Sequence, residues 1–416
     1  MLTRRRFLQS AAAGLAAAGC SGTEADPDPE PTLPPPSPDE LKALVAGDTR
    51  FGCDLLAAAG KPGENLILSP FGVSAVFGMV SHGARGKTLD QMRTVLHLPA
   101  DDRAVAAGFG ELSRQVNAVG RGGAIELATA NAVWGQKGYP WRAEYLDTLK
   151  GGYGAAVREA DFAANAERER QAINRWVEGR TRERIKDLIA QGVLDALTRM
   201  VLVNAVYMKA KWEHEFDPKL TRPQPFAAGG GAPVSAPLMY QKEHFPLLET
   251  DTFQAIELPY KGRQVSMLAF LPRAADGLPA FEKLFTSANL AKWTADPWPT
   301  PEVKTYLPRW KAETTTDLKT LLVGMGMTDL FDPNRADLSG MADTRELYVS
   351  AAVQKAFVEV NEEGTEAAAA TAAVAATRAA PVPTREYVFR ADRPFVYALR
   401  HNPTGTLLFV GRVAKP

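Results

Sequence analysis

Glu363-Gly-Thr-Glu-Ala-Ala-Ala-Ala-Thr-Ala-Ala-Val-Ala-Ala-Thr-Arg378 is the stretch on which the reading of this chain turns. So few large side chains cannot build a core of their own. The run follows Phe357-Val-Glu-Val-Asn361, whose alternation predicts a strand. It precedes Ala379-Ala-Pro-Val-Pro383, where the prolines cannot donate ladder hydrogen bonds and belong in an exposed loop. Three readings are open on the residues alone. The run is a smooth exposed segment offering one basic residue, an alanine-rich helix, or a low-complexity linker.

Working outward, residues 1 to 38 stand apart from the fold. Thr3-Arg-Arg-Arg-Phe-Leu-Gln9 is a twin-arginine pattern, and the apolar run from Ala11 to Gly19 is too short to span a membrane. Ala17-Ala-Gly-Cys20 resembles a lipobox with Cys20 as the acylated residue, although Ala17 stands where leucine is usual. The expectation is an exported protein, periplasmic or cell-surface, touching membrane only through a lipid on Cys20. A simple cleavable signal is the alternative. Residues 21 to 38 are rich in Pro, Asp and Glu and predict a disordered tether, reaching up to ~50 Å.

Residues 39 to 416 show no second linker and no internal repeat, so one large domain is expected. The glycine-rich Ala227 to Pro233 stretch lies between strand-like segments and reads as a loop. With 48 acidic and 48 basic residues the formal charge is zero, which gives no electrostatic reason to expect nucleic acid. There are two cysteines, so no disulfide framework is expected, and Cys53 reads as an inert core residue.

Apolar periodicity predicts helices over 41–59, 73–82, 89–96 and 167–189, and strands over 65–69, 127–134 and 199–207. The last of these is a nearly continuous apolar run of the doubly buried kind. Further strands are expected over 253–259, 265–271, 303–307, 388–389, 395–401 and 406–413. Helices early and strands late give the α+β class.

Enzyme signatures fail. Gly83-Ala-Arg-Gly-Lys-Thr88 ends like a P-loop, but Ser81 stands where the first glycine must be. There is no G-x-S-x-G elbow, and His214-Glu215 lacks the second histidine of a zinc helix. The five histidines, 82, 97, 214, 244 and 401, have no metal-ligand spacing. Neither an enzyme nor a cofactor is expected.

Over 39 to 416 the chain resembles the serpin family, through motifs that are collinear and correctly separated. These are Asn65-Leu-Ile-Leu-Ser-Pro70, Gly83-Ala-Arg-Gly-Lys-Thr88, Asn131-Ala-Val-Trp134 and Ile173-Asn-Arg-Trp-Val177. Leu202-Val-Asn-Ala-Val-Tyr-Met-Lys-Ala-Lys-Trp212 with Phe216-Asp217 follows, then Glu257-Leu-Pro-Tyr-Lys-Gly262, Ser266-Met267 and Asp337-Leu-Ser-Gly340. Glu362-Glu-Gly-Thr-Glu-Ala-Ala-Ala369 matches the family hinge, and Arg393-Pro-Phe395 and Leu407-Leu-Phe-Val-Gly-Arg412 close the match. Two departures stand out. Gly72 replaces a usual serine, and Gln354 replaces a frequent histidine.

The resemblance implies helices around a large mixed sheet, two further sheets and an exposed reactive-centre loop over about 362–386. It implies a monomeric suicide inhibitor, whose target serine protease is trapped as an acyl-enzyme when the cut loop enters the sheet. The family count from the hinge puts the reactive bond at Arg378–Ala379, and arginine there suits a trypsin-like protease. A cut after Val374, Ala375 or Ala376 would suit an elastase-like protease instead. A non-inhibitory serpin with a structural or ligand-carrying role is the runner-up.

The hinge comprises Glu362, Glu363, Gly364, Thr365, Glu366, Ala367, Ala368 and Ala369. The sheet-opening region comprises Ser69, Pro70, Asn204, Trp212, Arg309 and Gln354. Arg309 and Glu362 are expected to pair near Trp212, and Asn204 to bond an amide where others bond an imidazole. If the loop inserts, Thr365, Ala367, Ala369, Thr371, Ala373 and Ala375 enter on one face. Ladder bonds of ~1 kcal/mol barely offset ~1–2 kcal/mol of entropy per residue, so an inward charge would tip the balance. The loop places none there, which fits an inhibitor.

Overall fold

The apolar run ending at Tyr207 becomes the Met200–Lys211 strand, buried along almost all its length in the middle of a mixed sheet. This computed structural model describes residues 31–59, 63–120, 123–228, 232–365 and 385–416. The sheet order is Trp310–Asp317, Ala351–Val360, Gly364–Thr365, Met200–Lys211, Ile125–Gln136, Val157–Ala160. Ile125–Gln136 runs antiparallel to Met200–Lys211. Ala351–Val360 runs parallel to it, in register from Ala351 opposite Val201 to Phe357 opposite Tyr207.

Parallel neighbours cannot be joined by a hairpin. The long excursion between them supplies much of two further sheets. One is ordered Leu66–Leu68, Leu407–Val413, Phe395–His401, Val265–Pro272, Phe253–Pro259, Leu247–Glu249. The other is ordered Tyr387–Arg390, Glu302–Pro308, Val234–His244, Arg222–Phe226. The α+β expectation and its three sheets hold.

The Pro70–Ser81 helix is apolar all round and buried at every residue, as a helix must be when threaded between sheets. It packs on the central sheet and on Leu407–Val413. Cys53 is buried on Pro38–Ala58, and burial pushes its thiol up to about 12, consistent with an inert residue.

Two expectations need correction. The charged helix is Phe162–Arg180 and does not reach Ile189. Arg182 and Glu183 take positive φ values of 51° and 61°, and the Thr181 hydroxyl donates to the Val177 carbonyl. Asn174 then holds Ile189 by both backbone groups, at 3.0 and 2.9 Å. Ile185 and Leu188 still reach the same buried cluster as Ile173, so their spacing imitated a helix. Secondly, the tether does not run free to Pro38. Thr32 and Leu33 donate to the Gly151 carbonyl, and Ser37 caps the first helix.

Candidate functional site at the seam of the central sheet

The seam between Ala351–Val360 and Met200–Lys211 is closed by direct pairing as far as Phe357 and Tyr207. Beyond that point a short wedge lies in it. Thr365 pairs with Val360 on one side and Ala210 on the other, and Gly364 pairs with Lys211. The wedge is reached by a tight turn, in which Asn361 and Gly364 exchange backbone hydrogen bonds of 2.8 and 3.2 Å. The Asn361 side chain caps the turn by accepting from the Glu363 and Gly364 amides. Gly364 has φ +150°, and a Cβ there would lie 1.9 Å from the Ala210 carbonyl oxygen. Only glycine fits.

The turn is fastened from several sides. Trp212 donates its backbone N–H to Glu363 O and its indole N–H to Asn361 O, and Phe216 donates to Glu362 O. The Trp212 ring stacks on Tyr260 at 4.5 Å and 7°. Arg309 Nε donates to both Glu362 oxygens at 2.7 and 2.8 Å, its Nη2 donates to Oε1, and the Thr221 hydroxyl adds a third donor. Burial raises the Glu362 carboxyl, but the hydrogen bonds from Arg309 and Thr221 outweigh it and hold the group below its ordinary value. Glu363 is less well served. One of its buried oxygens lacks a hydrogen bond, and the Lys211 ammonium stands 4.0 Å away.

Lower in the seam, Asn131, Asn204 and Gln354 form one row across three strands. Gln354 Nε2 donates to Asn204 Oδ1 at 2.6 Å and to Ser69 O at 2.9 Å, while its oxygen accepts from Ser69 N. Asn204 donates in turn to Asn131. The Ser69 hydroxyl donates to Leu408 O and caps the helix that begins at Pro70. Gly72 lies against this row at Asn204. A Cβ at 72 would lie 2.2 Å from Asn204 Nδ2, so the missing side chain makes room for Asn204.

A three-sheet body with a wedge entering a parallel seam, followed by an alanine-rich segment, is a distinctive arrangement. The family model described as Serpin (serine protease inhibitor) matches residues 46–416. The chain belongs to the serpin family. The family is described as one of serine protease inhibitors, not of catalysts, and relatives of the chain carry inhibitor names. It is 38% identical to the leukocyte elastase inhibitor of Sus scrofa over 385 residues, covering 90% of this chain and all of that one. Serpin B3 of Homo sapiens is 38% identical over 395 residues, with the same coverage. Uncleaved ovalbumin superposes with a TM-score of 0.79 at 29% identity, covering 90% of this chain and all of its own. An Arabidopsis serpin in its native stressed conformation gives 0.79 at 28%, covering 90% and 98%.

This serpin brings together Ser69, Pro70, Asn204 and Gln354 at the middle of the seam, and Trp212, Arg309, Glu362, Glu363, Gly364 and Thr365 at its top. Glu366, Ala367, Ala368, Ala369, Arg378, Ala379 and Cys20 lie outside the described residues. Sequence reading missed Tyr260, Thr221 and Asn131 as members of these clusters. Tyr260 and Asn131 stand inside quoted family motifs, and nothing local marks Thr221.

Proposed function

We propose that this serpin is a suicide inhibitor of trypsin-like serine proteases, cut between Arg378 and Ala379. The observation that carries the proposal is the wedge. Gly364–Thr365 already lies between the two strands that must part, and small uncharged side chains fill every inward position after it up to Ala375. The protease serine attacks the Arg378 carbonyl. The ester forms as the Arg378–Ala379 amide breaks, and the Ala379 amine leaves with a proton. Insertion then continues down the seam from Thr365, through the Asn204–Gln354 row. Entry of ~14 residues at ~3.3 Å each would carry the tethered protease roughly 45 Å, before water can hydrolyse the ester.

A second reading is favoured by the names of the relatives. Leukocyte elastase inhibitors at 38% identity support a cut after Val374, Ala375 or Ala376 by an elastase-like protease. Incubation with trypsin and with elastase separates the two. An SDS-stable adduct with trypsin and a released fragment beginning at Ala379 support the first reading. A fragment beginning at Ala375, Ala376 or Thr377 supports the second. Absence of an adduct with every serine protease tried would return the protein to the non-inhibitory reading.

The proposal also places the protein outside the cytoplasm of a bacterial cell, lipid-anchored at Cys20. The twin-arginine pattern and the Ala17–Cys20 segment support this. Cys20→Ser should move the protein from the membrane fraction to the soluble one.

A further inference from the structure

The segment just before the first helix ties together two parts of the molecule. Thr32 N and Leu33 N both donate to Gly151 O at 2.8 Å, and Leu33 packs against the main core. Gly151 sits in a π-helical turn, Leu149–Tyr153, that leads directly toward the edge strand Val157–Ala160. The groove is backbone-tight. A Cβ on Gly110 would lie 2.0 Å from the Gly152 carbonyl oxygen and 3.1 Å from Pro31 Cβ. At its other end the segment enters Pro38–Ala58 through a capping box between Ser37 and Glu40. That helix packs on Pro70–Ser81 and Leu407–Val413. Pro34-Pro35-Pro36 lies between, a stiff polyproline stretch with little slack.

We propose that residues 31 to 37 are a strap that restrains opening of the central sheet. For the loop to enter, Met200–Lys211 must move away from Ala351–Val360 and take Ile125–Gln136 and Val157–Ala160 with it, because they are hydrogen-bonded together. The Gly151 end sits on the turn that runs into the edge strand and packs against Asp102–Val119, which touches Ile125–Gln136 as well as the first helix. The Ser37 end stays with the first helix and its neighbours. Opening therefore strains the bonds to Gly151, and weakening them lowers the barrier to insertion. The strap precedes the residues that match the family model. The proposal rests on the inhibitory reading, since sheet opening matters only if the loop inserts.

A lock tests it in the full chain. A Cβ on Gly151 would lie 3.5 Å from Thr32 Oγ1, so the pair Thr32→Cys and Gly151→Cys is within disulfide reach. The loop is nicked with a metalloprotease, which forms no acyl-enzyme, and the rate at which heat resistance appears is followed. Oxidation of the pair should slow that rate at least fivefold relative to its reduced form. Leu33→Asp should raise the rate severalfold over the parent protein. Equal rates in the oxidised, reduced and Leu33→Asp proteins would overturn the strap. A parent protein that gains no heat resistance after nicking would overturn the inhibitory reading instead.

Discussion

The hydroxyl of Tyr260 lies 2.8 Å from the hydroxyl of Thr365, and both side chains are fully buried. Burial holds the Tyr260 hydroxyl well above its ordinary range, so it stays neutral and available to the hinge. Trp212, stacked on the same ring, holds the turn just before it. Thr365 is thus already seated between the two strands, and entry of the loop would extend a strand that has begun.

Tyr260→Phe removes that hydroxyl and leaves Thr365 without its partner. One buried hydrogen bond is worth about 1 kcal/mol net. The amides of Gly364 and Thr365 should exchange with solvent about fivefold faster, measured by hydrogen exchange. Unchanged exchange would show that the strand pairs alone hold the wedge.

Glu362→Lys breaks the pair with Arg309 and puts two cations together at the top of the seam. Glu362 is buried but Arg309 is nearly half exposed, so a loss of about 1–3 kcal/mol is expected, below that of a fully buried pair. Mild heating should drive the variant into polymer or an inactive inserted monomer while the parent protein stays active. The Glu362 carboxyl is held below its ordinary value. Its contribution is therefore present above about pH 4.5 and lost as pH falls through the lowered value. The parent protein should become prone to the same conversion in acid. Size-exclusion profiles after heating check both.

Gly72→Ser should disturb the Asn204–Gln354 row, because the new Cβ meets the Asn204 amide. Overpacking of this kind costs about 1–3 kcal/mol. If the two departures from the family pattern are coupled, Gln354→His should recover part of the loss in the double variant. Additive losses in a double-mutant cycle of denaturation midpoints would show that they are independent.

The sequence was legible where one physical constraint dominates. Continuous apolarity placed Met200–Lys211, whereas the hinge was legible only through the family resemblance. Arg309 and Glu362 were paired through family resemblance, not through any local pattern. Asp102–Val119 and Trp310–Asp317 were missed. The helix is diluted by alanine and glycine, and the strand alternates apolar residues with threonine and charge. Ile185 and Leu188 misled because a pinned, irregular segment can deliver apolar side chains at helical spacing. Leu33 was overlooked because a single apolar residue among prolines carries no periodicity.

A buried carboxyl and a partly buried imidazole outside the seam bound stability from opposite sides. Burial pushes the Asp48 carboxyl from 3.8 up to about 7, offset in part by nearby Ser74. Its folded form prefers the proton, so stability is lost as pH rises from about 4 to about 7. Burial pushes the His82 imidazole, 2.9 Å from the Tyr153 hydroxyl, down from 6.5 to about 4. Its folded form rejects the proton, so stability is lost as pH falls through that window. Asp48→Asn should raise the denaturation midpoint at pH 8 and change little at pH 4. His82→Gln should flatten the acid limb between pH 6.5 and 4.

The central claim is that capture depends on continued entry of the loop after Thr365. Thr365→Arg leaves Arg378 and its neighbours unchanged, yet it would unseat the wedge from beside Tyr260, and entry of the cut loop would then have to bury an unpaired guanidinium there. That cost of several kcal/mol slows insertion by orders of magnitude, and hydrolysis of the acyl-enzyme wins. Incubated with trypsin and resolved by SDS gel, the variant should show rapid cleavage, free active protease and no stable adduct, where the parent protein shows the adduct. An undiminished adduct at unchanged stoichiometry would contradict trapping by strand insertion.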